Sequence, residues 1–317
     1  MTSPGSDASD ISTFSHDPVM VDTLVELIAD LPGGFFLDAT IGGAGHSSAF
    51  LSARGDLSIL GVDQDAMALE AARRQLAPHP GRYVLHKCRF DQLAEAMKEA
   101  GVSELVGFLF DLGVSSPQLD IAERGFSFRH DGPLDMRMDT DSSFDASVVV
   151  NEYSHQDLAR VLRVYGDERH NRRIAAAILA ARPIESTTEL ASVVVEAIPA
   201  AARRSGGHPA KRSFQALRIE VNSELAILAP TLEKALDALV PGGRGFVLTY
   251  HSGEDRIVKD VFRQRTTSVD SPHLPVEPNQ PDFQLLRPIA RKANQEEVTR
   301  NRRARSARLR SIERVAA

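Results

Sequence analysis

The chain has 317 residues and a single cysteine, Cys88. That excludes an internal disulfide and any metal site built from several cysteines. No apolar run is long enough to span a bilayer; the longest uninterrupted one covers only residues 174–181. The first lysine or arginine is Arg54, so the start of the chain lacks the basic segment of a secretory signal. No G-K-[ST] sequence occurs, which excludes a P-loop. No cluster of His and Cys at metal-ligand spacing stands out, and metal-free chemistry is expected. These absences point to a cytoplasmic protein. Cys88 lies in the apolar-rich stretch 83–88, where a buried, inert thiol is expected.

What is present is an ordinary soluble composition, 42% hydrophobic and 25% charged, with a net charge of −6. The charge is segregated. Residues 287–314 contain ten Lys or Arg against three Glu, while residues 203–218 contain Arg203, Arg204, Lys211, Arg212 and Arg218 and no acid. Such stretches can give an acidic protein a basic face for phosphates, or simply a solvated helix surface.

Apolar periodicity predicts a helix over 18–29, then short strands over 35–39, 57–62, 83–88 and 105–110. Helices over 46–53, 66–76 and 93–100 alternate with them. That alternation implies a doubly wound α/β fold, a parallel sheet with helices on both faces. The rhythm breaks after residue 110, and 147–202 reads as helical. It then resumes with a helix over 223–239, a Pro-Gly-Gly turn at 241–243, a strand over 245–250 and a helix over 254–265. A Pro-rich loop over 271–281 precedes a short strand at 283–286. The expected organisation is a disordered tail (1–15), an α/β domain (16–140 and 220–317) and an inserted helical domain (141–219).

The first strand runs into D-A-T-I-G-G-A-G-H, and the second ends at Asp63, eighteen residues after Gly45. Glycines let backbone approach a ligand, and a carboxylate at the end of the second strand can accept both hydroxyls of an adenosine ribose. Three readings compete. The dinucleotide fingerprint would put its third glycine at Ser48; the S-adenosylmethionine pattern matches imperfectly; and a strand–helix turn can need glycine only for packing. The segment 111–139, DLGVSSPQLDIAERGFSFRHDGPLDMRMD, begins where a buried strand ends and mixes Arg and Asp with apolar residues. In open α/β sheets that position is where ligands bind. The bland alternative is an ordered loop held by internal ion pairs.

Taken together, SHDPVM (15–20), DATIGGAGHS (38–47), GVDQD (61–65), the 111–139 segment and YGDERHNRRIAAAI (165–178) resemble the bacterial 16S rRNA cytosine-N4 methyltransferase H family. HPAKRSFQALRIEVNSEL (208–225), HSGEDRIVK (251–259) and NRRARSARLR (301–310) extend the resemblance. It runs in order over nearly the whole chain. It implies a class I S-adenosylmethionine-dependent methyltransferase, a Rossmann-like doubly wound sheet with an inserted all-helical domain. The implied activity is methylation of the exocyclic N4 of one decoding-centre cytidine, cytosine 1402 of 16S rRNA in the small ribosomal subunit.

The resemblance also implies site roles. Ala44, Gly45 and His46 would touch the methionine end of the cofactor, Asp63 the ribose, and Phe90 the adenine. Asp111 and Gln118 would complete the pocket, with Asp111 the one candidate for a catalytic role. His251, Arg137 and Arg212 would contact substrate, and residues 203–218 and 300–310 the rRNA phosphates. The chain departs from the family pattern at Ala44, Thr249-Tyr250, Gly253 and Arg302. Two other functions fit the residues less fully. One is an amino-methyltransferase acting on another nucleic acid. The other is a ribosome-assembly factor that binds the cofactor without turnover.

Overall fold

The strands are β1 (Gly34–Asp38), β2 (Leu57–Asp63), β3 (Tyr83–Lys87), β4 (Leu105–Asp111), β5 (Leu239–Thr249), β6 (Phe283–Leu285) and β7 (Arg308–Arg314). They form one sheet in the order β3-β2-β1-β4-β5-β7-β6. In this computed structural model, which describes residues 18–204, 207–267 and 281–315, the first five strands pair in parallel and β7 runs antiparallel to both its neighbours. The expected tail (1–15) lies outside the described residues, as does nearly all of the Pro-rich loop.

Successive residues of each central strand feed opposite layers, as the two-residue period of a strand requires. Phe36, Ile59, Leu109 and Phe246 pack with α1 (Val21–Leu27), α2 (Gly45–Ala53) and α3 (Ala66–Leu76). Leu37, Leu60, Phe108, Phe110 and Val247 pack on the other side. There they meet α4 (Leu93–Glu99), α11 (Glu224–Asp237) and α12 (Ser252–Arg265). Both faces are covered, which is why these strands read as continuous apolar runs.

Between β4 and α11 the chain makes α5 (Ser116–Asp120) and then five helices, α6 (Ala146–Glu152), α7 (His155–Gly166), α8 (Asn171–Ala181), α9 (Thr187–Ala197) and α10 (Lys211–Asn222). The last five surround a separate apolar core. That core starts before residue 141: Phe126, Leu134, Met136 and Met138 are buried in it, and Val221 belongs to it too. The 111–139 segment therefore begins at the sheet and ends in the helical core.

Two elements differ from the sequence reading. The Pro-Gly-Gly stretch lies inside β5 rather than before it. Leu105 pairs with Leu239 and Gly107 with Arg244, so four β5 residues bulge opposite Val106. The strand β7 was unexpected, because its composition is basic. Leu309 and Ile312 nevertheless reach opposite faces, and Arg310 is buried against Asp255 on α12, with nitrogen–oxygen distances of 2.8 and 3.1 Å. A short helix α13 (Gln295–Arg300) precedes it.

Candidate active site

The parallel strands end together at one edge, and β1, β2 and β4 each deliver an aspartate there: Asp38, Asp63 and Asp111. The loop after β1 threads between the other two strand ends. The Ala39 N–H donates to the Leu109 carbonyl (2.9 Å) and the Ile41 N–H to the Val62 carbonyl (3.1 Å). Gly42 then takes a positive φ of 51°, open to glycine at little cost. Ala44 also lies in the left-handed region, φ 61°, as the residue that starts α2. The conformation a glycine would adopt easily is thus kept by an alanine, at a modest cost in strain.

The Asp63 carboxylate organises this turn. One oxygen accepts the Gly42 N–H (3.0 Å) and the other the Asp65 N–H (2.9 Å). Burial pushes its carboxyl up to about 6, against the lowering effect of those two bonds. Asp38 is 2% exposed; one oxygen accepts from Ser47 Oγ (2.6 Å) and the other is buried without a partner. Burial chiefly raises its carboxyl too. Among the described residues, neither Asp38 nor Asp63 has an Arg or Lys partner. Carboxylates left in this state suit a ligand that brings its own positive charge and hydroxyl donors.

Asp111 is fixed from two sides. Its N–H donates to Thr40 Oγ1 (2.7 Å), and the Tyr250 hydroxyl donates to Asp111 Oδ1 (2.7 Å). Burial, and the Asp111 charge, hold the Tyr250 phenol far above its usual range, so it stays a donor. Its ring also flanks Gly113, where a Cβ would come within 3.3 Å of Tyr250 Cδ2. His46 joins the cluster. Its Nε2 lies 2.9 Å from the Val19 carbonyl, which can only accept, so Nε2 carries hydrogen. Its Nδ1 is 3.8 Å from Asp111 Oδ2. Tyr250 entered the sequence reading as a departure from the family pattern close to the expected acceptor pocket. Its bond to Asp111 needed the β4–β5 pairing, which no local signal gives.

Gln118 is 5% exposed and belongs to the loop's own scaffold; its Oε1 accepts the Ser115 N–H (3.0 Å) and its Nε2 donates to Asp65 (3.3 Å). Asp65 also caps α3 and pairs with Arg124 at 2.7 Å inside the protein. Arg124 Nη2 holds the carbonyls of Arg137 and Met138 (2.9 and 3.3 Å). Gly125 lets the chain turn there at φ 70°, where a Cβ would sit 2.2 Å from the Pro133 carbonyl oxygen. The Phe90 ring stands edge-on to Phe110, centroids 6.0 Å apart.

A cavity of about 420 Å³ opens past the end of β2, lined by Gln64, by Cys88 and Arg89 after β3, and by Asn222. Arg137 lines it too, but Asp135 takes its Nε and Nη2 (3.0 and 2.7 Å) and the Thr140 carbonyl its Nη1 (3.1 Å). The Cys88 thiol is half-buried and pushed up to about 11, chiefly by burial, as expected of an inert cysteine. His251 caps α12, its Nδ1 accepting from the Gly253 and Glu254 N–H groups (3.2 and 3.4 Å). Arg212 lies at the other end of α10 from Asn222, ten residues or about 15 Å along the helix axis. Its Nη1 donates to the Asp167 carbonyl (3.0 Å). Of the basic residues expected to meet phosphates, Arg218 is held by Glu224 (2.8 and 2.7 Å), Arg203 by the Ile198 carbonyl (2.7 Å), and Arg310 by Asp255.

The strand order with β7 reversed, and the acid-lined strand ends around a glycine turn, define a class I S-adenosylmethionine-dependent methyltransferase. The chain belongs to the MraW methylase family, whose profile matches residues 13–315. It is similar to proteins named ribosomal RNA small subunit methyltransferase H. The Mycobacterium sp. (strain KMS) protein is 48% identical over 96% of this chain and 85% of that one. The Thermobifida fusca (strain YX) protein is 49% identical over 95% and 94%. The Limosilactobacillus fermentum protein is 46% identical over 96% and 100%. Among solved structures, an rRNA methylase from Streptococcus thermophilus aligns loosely. It has 11% identity and a TM-score of 0.41, with 96% of this chain and 100% of that chain covered. No helix among the described residues is long and apolar enough to cross a membrane.

Proposed function

We propose that this protein methylates the exocyclic N4 of cytosine 1402 in 16S rRNA, acting on the small ribosomal subunit in the cytoplasm. The observation that carries the reading is the join of Asp111, at the end of β4, to Tyr250, just past the end of β5, beside the acids Asp38 and Asp63, which have no Arg or Lys partner among the described residues. Support for the substrate comes from relatives of 46–49% identity that carry the rRNA small subunit name.

S-adenosylmethionine supplies an electrophilic methyl group on a sulfonium. In this reading Asp63 accepts the ribose hydroxyls with the lone pairs its two backbone bonds leave over. Gly42, Ala44 and Gly45 hold backbone close to the methionine part, and His46 borders it. The space beside Gln64, Cys88 and Arg89 takes the base, with Phe90 behind it. The acids Asp38 and Asp111 favour the positive charge. The residues present therefore fit the cofactor.

A cytosine amine is a poor nucleophile because its lone pair is delocalised into the ring. Holding it aligned supplies much of the rate. The Asp111 carboxylate and the carbonyls of Leu112 and Gly113 act as acceptors for its hydrogens, drawing density toward nitrogen as charge develops. Tyr250 and Thr40 keep Asp111 in place, so the acceptor is preorganised. The target base leaves its stack to reach this edge of the sheet, and the 111–139 segment forms the wall it meets.

The test is methyl transfer from labelled S-adenosylmethionine to small subunits lacking the modification, followed by nucleoside mass analysis. N4-methylcytidine is the expected product. Transfer to another base or atom, or cofactor binding without transfer, would overturn the reading.

A further inference from the structure

The joint between α7 and α8 meets the first turn of α10, and two basic stretches far apart in sequence come together there. Arg163, Arg169, Arg172, Arg173, Lys211 and Arg212 are all exposed. The packing is tight: a Cβ on Gly166 would meet the Arg212 carbonyl oxygen at 2.5 Å. Two side chains also tie the elements together. Gln215 Nε2 donates to the Tyr165 carbonyl (3.1 Å), and Arg212 Nη1 donates to the Asp167 carbonyl (3.0 Å).

The acids of the joint do little to offset these charges. Glu168 is 5% exposed, and its carboxylate accepts the His170 N–H at 2.9 Å. Asp167 is the one exposed acid of the connection, and among the described residues none of the six cations is ion-paired with a carboxylate. Elsewhere the arginines are used internally, as Arg124, Arg137, Arg218 and Arg310 show. A group of like charges kept exposed and close together raises the local positive potential and attracts polyanions. The surface also leads toward the active-site loop. At the start of α10 the His208 ring stacks on Phe128 of the 111–139 segment, with centroids 4.3 Å apart and an interplanar angle of 14°.

We propose that this joint binds the phosphate backbone of the substrate RNA next to the target base, an inference that rests on an RNA substrate as read above. It puts the main phosphate-binding surface on the helical core and not on β7.

The test compares two charge-reversed proteins, Arg172→Glu/Arg173→Glu and, on exposed α3, Arg73→Glu/Arg74→Glu. Each is titrated with purified small subunits at several salt concentrations, with kcat, KM and cofactor affinity measured alongside. The joint variant is expected to bind subunits at least tenfold more weakly. Its slope of log affinity against log salt should flatten by about one for each phosphate that is no longer neutralised. Its kcat and cofactor affinity should be unchanged, and the α3 variant should match wild type. Unchanged binding would overturn the proposal. So would weaker binding with an unchanged salt slope, since that marks recognition of protein or shape. If a joint variant also loses cofactor affinity, Arg172→Ala/Arg173→Ala replaces it, with the same flattening expected. If wild type binds with the predicted slope but transfers no methyl group, the proposed reaction fails and this surface stands.

Discussion

Asp63 and Asp65 stand two residues apart at the end of β2, and the protein treats them oppositely. Asp65 is closed off: Arg124 pairs with it inside the protein, Gln118 donates to it, and it caps α3. Asp63 receives two backbone N–H groups and, among the described residues, no Arg or Lys. Asp38, with one buried oxygen unsatisfied, resembles Asp63. A paired buried acid builds structure; an acid buried without a counter-charge is costly unless a ligand supplies one. The contrast separates scaffold from site within a five-residue motif.

The sharpest way to break that contrast is from the paired side. Arg124→Ala leaves Asp65 buried and uncompensated, and should cost about 3–5 kcal/mol of unfolding free energy in denaturant titrations. A loss under about 1 kcal/mol would mean that the pair does not hold the loop. On the open side, Asp63→Ala should weaken S-adenosylmethionine binding well over tenfold by calorimetry, roughly 1.4 kcal/mol or more. Unchanged affinity in a folded variant would remove Asp63 from the pocket.

Acid titration should divide the two properties further. Because the Asp63 carboxyl is raised to about 6, the folded chain binds more protons than the unfolded one between roughly pH 4 and 6. Its contribution to stability is present at the acid end and is lost as pH rises through that window. Cofactor affinity should run the other way, falling by up to about tenfold per pH unit below 6, because the proton must leave to free the carboxylate for the ribose. Parallel trends would contradict the assignment. The smallest effect expected is from Tyr250→Phe, which removes one hydrogen bond to a carboxylate. A fall in kcat of about five- to tenfold with unchanged cofactor affinity fits a loss near 1 kcal/mol. Equal loss of cofactor affinity would place Tyr250 in the pocket wall instead.

The sheet before residue 111 was largely legible, because its parallel strands are short apolar runs, and three of them, β1, β2 and β4, end in an aspartate. The helix over 66–76 agrees to the residue. What was hidden has a common cause. β7 is basic because Arg308 and Arg310 meet Asp255 on α12, and Arg314 meets the Leu239 carbonyl. Charge in sequence does not say whether it ends on the surface. The bulge in β5 contains residues that locally spell a turn. The internal bonds of Gln118, Arg137 and His251 were also hidden, because partners of polar residues in glycine- and proline-rich loops are set by the fold. Tyr250 meets Asp111 only through pairing between strands 139 residues apart.

The placement of β7 between β5 and β6 also sets an order of events. Ser311 of β7 pairs with Phe246 of β5, and β5 in turn pairs with β4, whose Leu109 meets Phe246. β4 must wait for β5, and β5 for β7, closures that span much of the chain and form slowly. During synthesis the edge of β5 therefore stays bare until residues 308–314 arrive. Residues 308–314 cover that edge, and without them the sheet is left with an open edge prone to pairing between molecules.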